Sequence, residues 1–276
     1  MFVKSFRALK LQFGRRQAAR FLSRGPAFWR EVASFDIEEF RADQVSRFQE
    51  LGLDWGRAQT VIAGVPAEVG RRDASEHYSL FAAWLHLRPN SHVLEVGTET
   101  GQFSAFLSAL VPDGRVVTID LPTADPRYRN ATAMNVYDAN SRGALPGERA
   151  RFLNRPNVRF FELNSLGLAN SSRRFDAIWL DGDHTNPVVT LDVAQVIRLI
   201  NPGGLLAMDD IRLPGTWYGK QGYDEAYQAL EALQGAGVIK YRLIHKRVTE
   251  QHLILPERRK YIAVVQRLSD TEPLSE

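Results

Sequence analysis

The chain has 276 residues, 44% of them hydrophobic and 24% charged, a composition that excludes a disordered or fibrous protein and provides for a sizeable core. It contains no cysteine, which excludes disulfides, thiolate metal sites and a cysteine nucleophile, and fits a reducing, cytoplasmic setting. Net charge is +3, yet residues 1–30 hold eight basic residues and no acid; taking eight from 35 leaves 27 basic against 32 acidic residues, which argues against a nucleic-acid-binding body.

In chain order, Phe2, Phe6, Leu9 and Phe13 recur at helical spacing with Lys4, Arg7 and Lys10 between them. This reads as a basic helix or helix pair. Such a segment suits a membrane surface or a presequence, or docking on the body or on a second copy of the chain in a homo-oligomer. No stretch approaches the ~18 consecutive apolar residues of a membrane span. Gly25-Pro26 breaks the pattern, and residues 28–56 then read as helical, with Ser34 or Asp36 as the cap. Residues 60–73, with Gly64, Pro66 and Gly70, are less regular. Residues 1–74 are therefore expected to form a helical N-terminal extension, and residues 75–276 the main domain. A helix over 75–87 opens that domain and ends at Arg88-Pro89-Asn90.

Strand and helix signals alternate from there. Strands are expected at 92–96, 115–119, 158–161, 175–180 and 205–208, and helices at 101–111, 130–142, 187–200 and 223–234. Asn201-Pro202-Gly203-Gly204 reads as a turn. Residues 240–246 and 260–266 read as two final strands that include an antiparallel pair. This alternation predicts a mostly parallel sheet covered by helices.

The first strand runs into Glu95-Val96-Gly97-Thr98-Glu99-Thr100-Gly101 and then a helix. A glycine turn at a helix start presents backbone amides to a ligand, although such turns also occur with none. Two glycines four apart are not the dinucleotide fingerprint. Glu95 sits badly beside a pyrophosphate and well beside a cationic group such as the α-ammonium of S-adenosylmethionine. In open sheets ligands bind beyond the carboxyl ends of the strands. Those ends carry Glu95, Asp120, Asn164 with Ser165, Asp181 to His184, and Asp209 with Asp210. Asp120 follows the glycine turn at a spacing that suits ribose hydroxyls, a feature shared by nicotinamide cofactors and S-adenosylmethionine. Asp181, Asp209 and Asp210 come from adjacent strand ends, where unpaired carboxylates repel. Magnesium or manganese would resolve that conflict. His184, three residues past Asp181, is placed to take a proton.

These stretches together resemble the class I S-adenosylmethionine-dependent methyltransferases, and among them the divalent-metal-dependent O-methyltransferases of the catechol, caffeoyl-coenzyme A and macrolide-sugar type. The resemblance rests on Leu94 to Gly101, Val117-Thr118-Ile119-Asp120, Trp179 to His184, and Pro202 to Asp210, and spans about residues 75–268. It departs at Asp210, where catechol-type members have asparagine, and at Ser104, which falls one place late. It implies a Rossmann-like, seven-stranded sheet with helices on both faces. It also implies S-adenosylmethionine held by Glu95, Gly97, Thr98, Gly101, Asp120, Asn164, Ser165 and Asp181, magnesium or manganese on Asp181, Asp209 and Asp210, and His184 as base. The expected reaction is methyl transfer to a hydroxyl of a small molecule, a sugar or natural-product scaffold. Aromatics at Trp217-Tyr218 suit stacking against that acceptor. A nicotinamide-dependent oxidoreductase on the same fold, or a noncatalytic binding subunit, are the alternatives.

Overall fold

The computed structural model describes residues 34–70, 75–122, 124–126, 147–214 and 224–268. The basic helix or helix pair expected at the N-terminus, the helix expected at 130–142, and Trp217-Tyr218 lie outside the described residues. Two helices come first, α1 (Ile37–Glu50) and α2 (Trp55–Gly64), followed by α3 (His77–Leu85). Then come β1 (His92–Val96), α4 (Gln102–Leu110), β2 (Arg115–Asp120), β3 (Val158–Glu162), β4 (Phe175–Leu180), α5 (Val188–Leu199) and β5 (Ile200–Ile211). The series closes with α6 (Glu225–Gly235), β6 (Ile239–His245), the short α7 (Glu250–Leu253) and β7 (Tyr261–Arg267).

The seven strands form one sheet in the order β3-β2-β1-β4-β5-β7-β6. The pairs from β3 to β5 are parallel, and β7 runs antiparallel to both β5 and β6. The chain reverses its direction of sheet growth between β1 and β4, which opens a crevice at the carboxyl ends of those two strands. Alternation along each strand splits the core. Leu94, Val96, Ile178, Leu180, Leu206 and Met208 face α5 and α6. Val93, Ala177, Trp179, Leu205 and Ala207 face α3 and α4. Period-two burial with apolar residues on both sides marks strands covered on both faces.

Two elements differ from the sequence expectation. Within the stretch 28–56 expected to be helical, α1 stops at Glu50, because Gly52 adopts φ 70° and closes it with bonds from Gly52 N to Gln49 O and from Leu53 N to Phe48 O, and α2 continues to Gly64, into the stretch expected to be irregular. Asp36 caps α1 through the Glu38 amide, and Asp54 caps α2 through the Arg57 amide. The Asn201–Gly204 turn does not end a helix before a separate strand. It is absorbed into β5, whose register against β4 jumps from Phe175↔Ile200 to Ala177↔Leu205.

The N-terminal helices share the core of the main sheet: Phe48 and Ala58 are fully buried in the cluster that holds Phe81 and Trp179. Helix α1 also covers the edge strand β6. Gln44 donates to the His245 carbonyl and accepts from its amide, and Arg47 donates to the Leu243 carbonyl. The exposed backbone of an edge strand is thereby satisfied by side chains. No helix among the described residues is long and apolar enough to cross a membrane.

Candidate functional site

The β1–α4 turn is built for close approach. Gly97 has φ 99°, and a Cβ there would lie 2.0 Å from the Asp181 carbonyl oxygen. The turn therefore presses directly on the end of β4, where the Asp181 amide donates to the Val96 carbonyl. Gly101 caps α4 at φ 79°, and Glu99 between them holds φ 48°, unusual for a residue with a side chain. Beneath the turn, Thr98 donates to Thr118 at 2.6 Å, Thr118 donates to Glu95 at 2.6 Å, and Ser104 donates to the same Glu95 oxygen. Glu95 is 1% exposed. Burial pushes its carboxyl up to about 8 against these two hydroxyl bonds, and the neighbouring Asp181 and Asp120 push the same way. It is a carboxyl surrounded by acids, suited to gaining its charge when a cation docks.

Asp120 stands at the end of β2, as expected, and is more engaged than its spacing implied. It accepts from the amides of Glu99 and Leu121 and from Arg149 at 2.9 Å. Burial raises its pKa against the Arg149 charge and these amide bonds. Arg149 also donates to the Glu99 carbonyl, so the ion pair ties the glycine turn to β2. A carboxylate has about four acceptor positions, which leaves one for a ligand hydroxyl. Asn164 caps the 3-10 helix Ser165–Asn170 through the Leu166 amide. Ser165 lies against Asp192, a buried acid on α5 pushed up to about 6 by burial and held back by the serine.

At the end of β4, His184 Nε2 lies 3.3 Å from Asp181 Oδ1. Both side chains are open to the crevice, 29% and 37% exposed. Burial pulls the His184 pKa down, but the bond to Asp181 and the charges of Asp181, Asp210 and Asp209 outweigh it, and the net shift is upward. Asp181 itself is pushed up to about 6 by burial and by Asp209, against the pull of His184 and Lys246. Asp183 is occupied in its own turn, accepting from the amide and hydroxyl of Thr185.

The end of β5 bears on the metal expected at Asp181, Asp209 and Asp210. Asp210 takes φ 55° where the β5–β7 register shifts between Met208 and Ile211. The Lys246 ammonium donates to Asp209 Oδ2 at 2.5 Å and to Asp210 Oδ1 at 2.6 Å. Lys260 donates to Asp210 Oδ2 at 2.5 Å, with Arg212 3.4 Å from the same oxygen. Burial opposes ionisation of Asp210, but Lys246 and Lys260 hold it well below the usual carboxylate range. Asp209 Oδ1 is buried without a partner among the described residues. Asp209 and Asp210 meet on lysine, and Asp181 faces His184 instead. A dication placed beside Lys246 meets repulsion of about 4 kcal/mol per unit charge at about 4 Å and an effective dielectric near 20. Among the described residues, no group of three or more His, Asp or Glu side chains is arranged to hold a metal ion. The donor set does not fit a divalent cation.

Lys246, Lys260 and Arg149 were not singled out by the sequence reading. A signal for the lysines was present. They flank the connection between the last two strands, Lys246 just after β6 and Lys260 just before β7, and an antiparallel β7 must begin beside the point where β5 ends.

Residues 94–211 match the family model described as a methyltransferase domain. Among solved structures, the chain is similar to a Klebsiella pneumoniae protein assigned as an O-methyltransferase, at 18% identity, over 78% of this chain and 90% of that one, with a TM-score of 0.50. It is also similar to the O-methyltransferase from Bacillus cereus in complex with SAH, at 18% identity, over 76% of this chain and 89% of that one, with a TM-score of 0.46. At 18% identity the likeness to the Klebsiella pneumoniae structure speaks for the fold alone. No curated protein matches the chain.

Proposed function

We propose that this chain, whose residues 94–211 match the methyltransferase-domain model, is a class I S-adenosylmethionine-dependent methyltransferase and that the methyl group goes to a hydroxyl oxygen of a small molecule, a sugar or natural-product scaffold. The observation that carries this reading is the His184–Asp181 pair, 3.3 Å apart and open to the crevice, on the strand end against which the Gly97 turn is packed. S-adenosylmethionine supplies a methyl carbon already activated by its sulfonium. The chain's part is then to place the acceptor oxygen in line and to receive its proton. Asp181 faces Nε2 of His184, so Nε2 carries the hydrogen and Nδ1 takes the acceptor proton. The new oxygen–carbon bond forms as the carbon–sulfur bond breaks, with its electron pair left on sulfur.

The acids around the turn favour this cofactor over a dinucleotide. Glu95, Asp120 and Asp181 are cofactor residues in this reading, with Gly97, Thr98 and Gly101 forming the turn, and Asn164 and Ser165 the wall beyond β3. A sulfonium and an ammonium favour the charged forms of Glu95 and Asp181, whereas a pyrophosphate disfavours them. The test is incubation with methyl-labelled S-adenosylmethionine and a panel of hydroxylated sugars and natural-product phenols. Label is expected on oxygen, and analogues with hydrogen in place of the reacting hydroxyl should take none. Label on nitrogen or carbon would contradict the reading.

A further inference from the structure

We infer that Lys246 occupies the position of a catalytic cation, so that this active site holds Asp209 and Asp210 by an ammonium and works without a divalent metal. The inference rests on the methyltransferase reading and concerns the same site. Lys246 is 7% exposed, rare for a lysine unless it is paired. Its ammonium bridges two carboxylates that follow one another on β5, at 2.5 and 2.6 Å. Burial lowers the pKa of Lys246, but Asp209, Asp210 and Asp181 together raise it, so it stays charged.

The lysine is fixed by backbone on two sides. Its amide donates to the Lys260 carbonyl at 2.9 Å, and its carbonyl accepts from the Glu76 amide at 2.8 Å, at the start of α3. A long flexible side chain held at its base and bonded at its tip is part of the built site. Lys260 completes the arrangement by neutralising the other oxygen of Asp210. Three acids at the ends of β4 and β5 are thus faced by two lysines, with His184 beside them. A dication would have to displace a buried ammonium that already bonds one oxygen of each β5 carboxylate. Lys246 is a positioning residue in this account. It sets the carboxylates that shape the acceptor side of the crevice, and His184 handles the proton.

The test uses manganese as the probe. Wild-type full-length protein, exhaustively chelated and then titrated with manganese, should leave the paramagnetic signal of the free ion undiminished, and magnesium should not raise its melting temperature. Lys246→Met removes the ammonium but keeps the volume of the stem. It should gain manganese binding, and Asp209→Asn added to it should abolish the gain. Stoichiometric manganese uptake by the wild type, lost in Asp209→Asn, would overturn the inference. That arm needs no lysine variant to fold. Melting shifts with S-adenosylhomocysteine, read in the same chelated samples, report on the cofactor reading separately.

Discussion

His184→Ala is expected to lower kcat by about 10² to 10⁴-fold with little change in affinity for S-adenosylhomocysteine. The imidazole takes the acceptor proton in this account, and the glycine turn and Asp120, proposed to bind the cofactor, do not use it. The pH profile gives a second readout. His184 is raised above its usual 6.5, since the bond and charges of the acids around it outweigh burial. Only the neutral ring accepts a proton, so kcat should fall as pH drops through a value above 6.5 and be maximal on the alkaline side. Asp181→Asn, which removes the nearest charge, should move that fall to lower pH. Activity of His184→Ala within about threefold of wild type would remove the histidine from the mechanism.

Gly97→Ala is expected to be the most damaging single methyl in the described chain near the site. The added Cβ would stand 2.0 Å from the Asp181 carbonyl oxygen and 2.7 Å from its carbon, both backbone atoms, and at φ 99°. Neither the clash nor the torsion is relieved by a rotamer change. The loss should reach about 4 kcal/mol, which for a chain of this size lowers the melting temperature by roughly 10 °C. Gly64→Ala is the control. Nothing lies within 4 Å of a Cβ there, so stability should change by no more than about 1 kcal/mol. A Gly97→Ala protein that melted with the wild type would mean the turn does not press on β4.

The strands, the glycine turn and the helix that follows were legible because each has a local signature. Leu94 and Val96 alternate with Glu95, and Gly97 and Gly101 punctuate the run. The carboxyl-end acids were legible for a related reason: topology brings the ends of parallel strands to one edge, so Asp120, Asp181 and Asp209 could be grouped without coordinates. What those acids touch was not legible. Asp120 meets Arg149 across 29 positions, and Asp209 meets Lys246 across 37. Neither partner lies in a motif. The break at Gly52 could have been found, since a glycine after Leu51 followed by Asp54 is a stop and a cap in sequence. The absorption of the Asn201–Gly204 turn into β5 could not, because it depends on how far β4 extends beside it.

The thermal melt of the chelated protein with S-adenosylhomocysteine and, separately, with NAD tests the central claim most directly. A ligand that binds only the native state stabilises it by about 2.7 kcal/mol at a hundredfold excess over its Kd. Here S-adenosylhomocysteine should raise the melting temperature by several degrees and NAD should leave it unchanged, because the β1–α4 turn, with Gly97 and Gly101 four apart, lacks the dinucleotide fingerprint. A shift with NAD and none with S-adenosylhomocysteine would contradict the account.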